Sequence, residues 1–168
     1  MRLCLASTSP ARLTLLRAAG IEPLTASPRV DEAGEAAAAG PLSPHDTVLL
    51  LARLKAEDVA SRINEEHPGF NGLIIGGDSM FEIDGQVYGK PHTPEIATAR
   101  WHAMRGRTGT LLTGHAVVDA ATGRTACGVA ATDVRFGTPS DAEVAAYVAA
   151  GAAFVRAVDV IDNQVGCS

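Results

Sequence analysis

The sequence predicts an α/β domain in which a mixed sheet is flanked by helices. Three observations lead to this class. The chain opens with a short apolar strand and a helix, it contains a continuous apolar run typical of a strand covered on both faces, and it carries two hairpin-like pairs of strand segments. Strands that alternate with helices favour parallel pairing, whereas hairpins add antiparallel strands, so the sheet is expected to be mixed.

Length and composition limit the kind of protein this is. The chain has 168 residues, of which 46% are hydrophobic and 20% are charged. Such a chain can bury one core, and we predict a single compact domain over residues 1–168. The net charge of −5 argues against a nucleic-acid-binding protein, which would carry a basic face. An anionic substrate would therefore need a local cluster of cations.

The cysteines and the hydropathy pattern indicate the compartment. Cys4, Cys127 and Cys167 are odd in number and far apart, which fits neither a disulfide framework nor a zinc site. The five histidines lack metal-ligand spacing. No apolar run approaches the length of a membrane span, and the first residues are predicted to enter a strand rather than a signal peptide. We therefore expect a cytoplasmic protein that binds no membrane.

The first predicted elements are a strand over Leu3–Ala6 and a helix after it. Ser9 is a typical N-cap, Pro10 is a typical first helical residue, and Gly20 ends the helix. Arg12 is unusual because the helix dipole disfavours a cation in the first turn. A bound anion would explain it, because backbone N–H groups, the Ser9 hydroxyl and Arg12 would converge on one phosphate. The alternative is a surface arginine with a small penalty.

A run of small residues follows a weak strand candidate at residues 21–26. Residues 33–40, rich in alanine and glycine, are predicted to form a loop with at most partial helix. Asp31 and Glu32 stand at the start of this loop. These two acids could be solvated or could lie near a metal ion, and their spacing does not decide between the two.

The longest predicted helix extends from Pro44 to about Glu66. Ser43 precedes it as an N-cap, and residues 67–69 end it. Lys55 lies in the middle of its apolar stripe. Burial of an ammonium group without a partner is unfavourable, so Lys55 either extends to solvent or meets a carboxylate or phosphate. The favoured interpretation is an anionic partner.

Asp78 is the central residue of the predicted site. Leu73–Ile75 form a continuous apolar run, and Gly76 and Gly77 then lead to Asp78. We therefore predict that Asp78 lies at the carboxyl end of a buried strand. In open α/β sheets that end is where ligands bind, so the acid is placed for chemistry or for a metal ion. The alternative is an aspartate that caps a loop.

A predicted hairpin brings a further cation toward Asp78. Residues 81–83 and 86–88 are short strand-like runs joined by Asp84-Gly85, a dipeptide that favours a tight turn. Lys90 follows this hairpin, and the next residue, a proline, holds it away from helical angles. Lys90 is therefore a candidate cation of the site. The alternative is a solvated loop lysine.

The remaining chain completes the mixed pattern. A helix is predicted from about Pro94 to Met104. Residues 110–119 and 125–136 are strand-like and form a predicted antiparallel hairpin. A last helix begins after Ser140, its predicted cap.

Several of these motifs together resemble the Maf family. They occur in the family's order and spacing over positions 3–148, and they are Leu5–Arg12, Leu51–Ala56, Gly76–Ser79, Gly89–Pro91, Arg105–Arg107 and Thr113-Gly114. The family comprises nucleoside triphosphate pyrophosphatases, also described as septum formation inhibitors. The resemblance implies a Maf or ITPase-like α/β fold, often dimeric. It also implies a divalent metal, Mg²⁺ or Mn²⁺, and cleavage of a nucleoside triphosphate into monophosphate and pyrophosphate.

The resemblance, joined to the positions argued above, assigns a role to each candidate residue. Asp78 is expected to be the general base for a water directed at the α-phosphorus, and it is also a candidate metal ligand. Glu32 falls where the family carries an acid after Val-Asp, and it is a candidate contact for the metal or the substrate. The expected ligands of the triphosphate and of the departing pyrophosphate are Ser9, Arg12, Lys55 and Lys90.

Three features differ from the family pattern. Ala11 stands where the family has the first of two adjacent arginines. A segment resembling Lys-Ala-Gly-x-Tyr-x-Ile-Gln-Gly is missing around residues 150–151, and the chain stops at Ser168, before the family's last helix. We therefore expect an internally deleted and shortened member. The alternative function is nucleotide binding without catalysis in cell-division control. No motif marks the preferred base among dTTP, UTP, CTP and modified nucleotides.

Overall fold

A computed structural model describes residues 2–88, 91 and 93–150. Within these residues the chain forms six strands and five helices. The strands are β1 (Leu3–Ala6), β2 (Leu24–Ala26), β3 (Leu73–Ile83), β4 (Gln86–Tyr88), β5 (Thr108–Asp119) and β6 (Thr125–Arg135). The helices are α1 (Pro10–Ala18), α2 (Glu32–Ala38), α3 (Pro44–Glu66), α4 (Pro94–Met104) and α5 (Asp141–Ala149).

The strands form a mixed sheet. They are hydrogen-bonded in the order β2-β1-β3-β5-β6, and β4 pairs with β3. β1 is parallel to both of its neighbours, with Cys4 opposite Leu24 on β2 and opposite Ile74 on β3. β4 is antiparallel to β3, with Phe81 opposite Tyr88. The combination of parallel and antiparallel pairs confirms the predicted α/β class with a mixed sheet.

The described chain divides into two compact units. The first contains the residues up to Ser79 together with Leu112–Ala131, and the second contains Met80–Leu111 and the residues from Thr132 onward. β3, β5 and β6 each contribute residues to both units. The single domain predicted over residues 1–168 stays a prediction.

The core of the first unit lies between α3 and the strands. α3 contributes small and β-branched side chains, which allow a helix to lie close to a sheet. The buried residues of this core, from α3, the strands and Phe70, are Cys4, Ala6, Ala26, Ala52, Ala56, Val59, Ile63, Phe70, Ile74, Ala116 and Val118. Because α3 is long and amphipathic, its inward stripe fixes both its rotation and its height against β3.

The second unit contains two smaller clusters. One is formed by Phe81, Ile83, Met104 and Leu111, and the other is formed by Ala97, Val144 and Val148 with Trp101 and Tyr147 at its border. Trp101 makes edge contacts with Tyr147 and with Phe136, at ring-centre distances of 5.4 and 5.8 Å. α5 begins with a capping box between Ser140 and Glu143, as its predicted cap indicates.

Most predicted elements are confirmed, and α3 and α4 have the predicted bounds. The prediction of a loop over residues 33–40 is wrong for most of that stretch, because Glu32–Ala38 form α2. The Asp31 side chain accepts a hydrogen bond from the Gly34 N–H and so provides an N-cap. β2 is shorter than the predicted strand and begins at Leu24.

The prediction that Asp78 ends a strand is also corrected. β3 continues to Ile83, so Asp78 lies inside it. The neighbouring β1 ends at Ala6, which pairs with Gly76, so Asp78 lies two residues beyond the carboxyl end of the parallel pairing. β3 extends further because it pairs with β4 through a tight turn in which Asp84 and Gly85 have φ angles of 50° and 78°.

Two further features concern the limits of the described chain. In residues 2–88, 91 and 93–150, none of the helices has the length and apolar character that crossing a bilayer requires. The predicted deletion around residues 150–151 and the predicted short C-terminus lie outside the described residues, apart from Ala150.

Candidate active site

A buried ion pair joins α3 to β3 within the first unit. The Lys55 ammonium group donates a hydrogen bond of 2.7 Å to Oδ1 of Asp78. It also lies 2.9 Å from Oε1 of Glu32. Lys55 and Asp78 are 6% and 8% exposed, whereas the Glu32 side chain is 53% exposed. One cation thus connects a buried carboxylate with a carboxylate at the surface.

Gly76 allows α3 to approach β3 closely enough to form this pair. A Cβ at Gly76 would overlap the carbonyl oxygen of Ala52 and would lie 2.7 Å from the backbone nitrogen of Ala56. Side chains of a strand alternate between its two faces, so Asp78 lies on the same face as Gly76. The neighbour of Ala56 on α3 is Lys55, and the close approach therefore brings its ammonium group to the Asp78 carboxylate.

Burial changes the acidity of Asp78. Removal of the carboxylate from water raises the pKa of Asp78 above its usual value, and the Glu32 charge acts in the same direction. The hydrogen bond and charge of Lys55 lower this pKa, and the Arg12 charge does so to a smaller extent. Because desolvation is the largest effect, Asp78 binds a proton more readily than an exposed aspartate.

Arg12 is held by hydroxyl groups next to this pair. Its guanidinium group donates to the hydroxyl of Ser7 at 3.2 Å and to the hydroxyl of Ser79 at 3.0 Å. The Ser79 hydroxyl is also 3.1 Å from that of Thr113 on β5. The hydroxyl cluster, defined here as Ser7, Ser79 and Thr113, therefore fixes the direction of the guanidinium group.

The two cations approach β3 from opposite faces. A Cβ at Gly77 would lie 3.1 Å from Nε of Arg12, so Arg12 covers the face that carries Gly77 and Ser79. Lys55 contacts the other face, which carries Gly76 and Asp78. The two cations therefore lie on opposite faces of β3.

The family relationship follows from the sequence as a whole. The profile of the family described as Maf-like protein matches residues 2–158. The chain belongs to the Maf family. This match covers the described part of the site, including α1, α2, α3 and β3.

Similar Maf relatives carry the name nucleoside triphosphate pyrophosphatase. A protein of that name from Leifsonia xyli is 54% identical over 158 residues, which cover 90% of this chain and 73% of the relative. One from Streptomyces coelicolor is 53% identical over 151 residues, with 89% and 69% covered. One from Thermosynechococcus vestitus is 49% identical over 147 residues, with 88% and 70% covered.

The structure brings some of the predicted residues of this Maf site together and leaves others apart. Glu32, Lys55 and Asp78 are in contact, and the anionic partner expected for Lys55 is a pair of carboxylates. Ser9 is the N-cap residue of α1, but its side chain makes no capping hydrogen bond. Lys90 lies outside the described residues.

The carboxylate oxygens near Lys55 suit Mg²⁺ bound together with substrate phosphates, and they do not form a complete metal site by themselves. Among the described residues, no group of three or more His, Cys, Asp or Glu side chains is arranged to hold a metal. Glu32 and Asp78 nevertheless present carboxylate oxygens around one point, the Lys55 ammonium group. Mg²⁺ is commonly bound through one or two carboxylates together with substrate phosphates and water, and this pair fits that pattern.

Sequence reasoning missed the residues that surround Arg12. Ser7, Ser79 and Thr113 were not candidates, because hydroxyl residues are common in loops and strands. Ser79 and Thr113 lie within segments that resemble the family, but their mutual contact could not be found from the sequence, since it depends on the pairing of β5 with β3. His115 was also missed; burial and the nearby Arg12 charge lower the pKa of His115.

Proposed function

We propose that this chain is a nucleoside triphosphate pyrophosphatase, a hydrolase that converts a nucleoside triphosphate into the monophosphate and pyrophosphate. One observation carries the proposal: a buried carboxylate, Asp78, is hydrogen-bonded to a buried ammonium group, Lys55, in a chain whose similar relatives bear this name. An acid of raised pKa beside a cation supplies both a proton acceptor and a charge for phosphate.

Asp78 is the proposed general base. Its raised pKa makes it a stronger proton acceptor than an ordinary aspartate. Lys55 donates to Oδ1 and so fixes the carboxylate plane, and we assign Oδ2 to the attacking water. In the proposed reaction Asp78 takes a proton from this water as its oxygen bonds to the α-phosphorus, and the bond from that phosphorus to the bridging oxygen breaks. Pyrophosphate leaves with the bond's electron pair.

The cations are the proposed ligands of the triphosphate. Arg12 and Lys55 stand on opposite faces of β3, and two separated positive charges suit an extended chain of phosphates better than a single phosphate. Ser9 has a hydroxyl that does not cap α1, and we assign it to a phosphate oxygen. Lys90 is proposed as a further cation on the basis of the family motif. Together these groups would neutralise the charge that develops on pyrophosphate.

A divalent cation, Mg²⁺ or Mn²⁺, is proposed as the cofactor. Glu32 is the first candidate to hold it and Asp78 the second, since their carboxylates are the oxygen donors nearest to Lys55. When bound, such an ion supplies positive charge to the phosphate oxygens. The family resemblance is the reason for expecting it.

Two further expectations accompany the proposal. The cytoplasm is the proposed compartment, on the ground that three widely separated cysteines do not form a disulfide framework in the sequence. A homodimer is proposed from the family resemblance alone. Light scattering coupled to size-exclusion chromatography would measure the mass in solution, and a monomer over the working concentration range would contradict the dimer.

The test of the function uses a panel of nucleoside triphosphates with Mg²⁺ or Mn²⁺. Release of pyrophosphate and monophosphate in equal amounts supports the proposal, and the panel ranks the bases. Hydrolysis in ¹⁸O-labelled water then locates the attack, because attack at the α-phosphorus places the label in the monophosphate. Label in pyrophosphate or inorganic phosphate would contradict the mechanism, and nucleotide binding without any release would favour a non-catalytic binding protein.

A further inference from the structure

The position of α2 is not explained by hydrophobic packing. α2 has seven residues, and none of them is buried. A helix of this length is not stable by its own propensity and needs other contacts to hold it. It nevertheless begins at Glu32, whose carboxylate lies 2.9 Å from Lys55. The contacts that fix the preceding segment, residues 27–31, therefore help to determine where Glu32 lies.

α3 contacts this segment at three successive levels. Arg62 donates a hydrogen bond to the carbonyl oxygen of Ser27. Asp58 accepts a hydrogen bond of 2.9 Å from the backbone N–H of Arg29. Lys55 then meets Glu32. Positions 55, 58 and 62 recur on one face of a helix and span about 10 Å along its axis. The segment therefore runs along α3 in the opposite direction and ends at the active site.

Arg62 is built into this contact as a buried residue. Its side chain is 10% exposed, and it pairs with Asp58 at 3.2 Å and with Glu66. Glu66 in turn lies 3.5 Å from the Arg29 guanidinium group. A buried guanidinium group needs such partners, because an unpaired buried charge is strongly destabilising. This arrangement differs from an ordinary surface pair, which contributes little.

We propose that Asp58 and Arg62 are positioning residues of the active site. They hold residues 27–31 against α3, and this placement keeps the Glu32 carboxylate beside Lys55. Asp58 and Arg62 act through the backbone of the segment, by their hydrogen bonds to the Arg29 N–H and the Ser27 carbonyl oxygen. The inference rests on the proposed role of Glu32 as a contact for the metal or the substrate.

The main test compares Asp58→Ala with Glu57→Ala. Both variants remove an acid from α3, but Glu57 pairs only loosely with Arg53 at 3.8 Å on an exposed side. Hydrogen exchange of the α2 amides should rise about five-fold or more in Asp58→Ala, because a hydrogen bond to the segment is lost. Exchange in β3 should not change. In Glu57→Ala the exchange rates of α2 and of β3 should both match those of the unmodified protein.

Kinetics show whether the position of Glu32 matters for binding. Asp58→Ala should raise KM for the nucleoside triphosphate about ten-fold, the usual effect of removing a residue that orients a ligand. Its kcat should change by less than about two-fold. In the Glu32→Gln background the same substitution should have no further effect on KM, because the carboxylate that it positions is gone.

Two conservative variants keep the test informative if Asp58→Ala folds poorly. Asp58→Asn retains an acceptor for the Arg29 N–H, so its KM and α2 exchange should lie closer to those of the unmodified protein. Arg62→Lys retains the charge but loses the planar fork, in which Nη2 donates to the Ser27 carbonyl and to Asp58 while Nη1 donates to Glu66, so it should raise α2 exchange.

The outcomes separate this inference from the proposed function. Unchanged α2 exchange in Asp58→Ala and Arg62→Lys would overturn the inference, and so would a KM increase of equal size with and without Glu32. Absence of pyrophosphate release by the unmodified protein would instead overturn the proposed function. The exchange measurement does not depend on turnover and would still decide whether Asp58 and Arg62 hold α2.

Discussion

The helices α3 and α2 both bring a charged group to the active site, but they are held in opposite ways. α3 has 23 residues, a Ser43 cap and a buried apolar stripe in which Lys55 lies. α2 has seven residues and buries none of them. Lys55 is therefore fixed by the hydrophobic core, whereas Glu32 is held by polar contacts at the surface. The site thus combines a buried ion pair with a carboxylate that is more than half exposed.

This difference also predicts different energetics for the two contacts of Lys55. The Lys55–Asp78 contact is removed from water, so loss of one partner leaves a buried charge without compensation. The Lys55–Glu32 contact has one partner more than half exposed, and solvent screens most of its strength. Substitutions on the two sides should therefore have unequal effects on stability.

The largest effect on stability is expected from Lys55→Met. The substitution leaves Asp78 buried without its cation, and the free energy of unfolding at neutral pH should fall by about 3 kcal/mol. Turnover should fall about ten-fold or more because phosphate loses a positive charge. Chemical denaturation and steady-state kinetics measure both quantities. Arg53→Met removes an exposed cation of α3 and is the matched control. It should change neither the free energy of unfolding nor turnover by a large amount.

The pH dependence of Lys55→Met has a definite sign. Without Lys55, burial should raise the pKa of Asp78 further, so the folded chain binds a proton more tightly than the unfolded chain. Stability from this group is then fully present below the ordinary aspartate pKa and is lost as the pH rises through the raised value. The deficit relative to the unmodified protein should grow from acid to neutral pH, and a deficit that shrinks would contradict this account.

An intermediate effect is expected from Gly76→Ala. The added methyl group would overlap the Ala52 carbonyl oxygen and force α3 away from β3. Overpacking of this kind typically costs about 1–3 kcal/mol, and turnover should fall as Lys55 moves from Asp78. Thermal unfolding and activity test this. A Cβ at Gly128 meets nothing within 4 Å, so Gly128→Ala is the control; equal effects of the two substitutions would remove the packing argument.

The smallest effect on stability is expected from Glu32→Gln. The exposed side of the Lys55 contact should contribute about 1 kcal/mol or less to the free energy of unfolding. Turnover or nucleotide affinity should nevertheless decrease, because a proposed metal or substrate contact is lost. Thermal unfolding and nucleotide kinetics, measured on the same preparation, test the two expectations. A loss of stability as large as that in Lys55→Met would contradict the distinction between the buried Lys55–Asp78 contact and the partly exposed Lys55–Glu32 contact.

The elements that the sequence predicted best are those with local start and stop signals. α3 has Ser43-Pro44 before it and His67-Pro68-Gly69 after it, and its bounds were predicted correctly. The same stripe identified Lys55 as a buried cation. The partner of Lys55 could not be derived, because the meeting of α3 and β3 depends on the close approach at Gly76, which leaves no periodic signal.

Elements stabilised by distant contacts were predicted less well. α2 lacks an apolar stripe, and its position follows from contacts with α3 more than twenty residues away. β3 continues past Asp78 because β4 and β5 pair with it, although glycine and aspartate have low strand propensity. The order β2-β1-β3-β5-β6 likewise required the structure.

Asp78→Asn is the measurement that tests the central claim most directly. The amide has the same shape as the carboxylate but cannot accept the proton of a water molecule, so kcat for pyrophosphate release should fall about 10²–10⁴-fold. Nucleotide affinity, measured by calorimetry on the same preparation, should remain close to that of the unmodified protein. A variant that releases pyrophosphate at the normal rate would contradict the assignment of Asp78 as the general base.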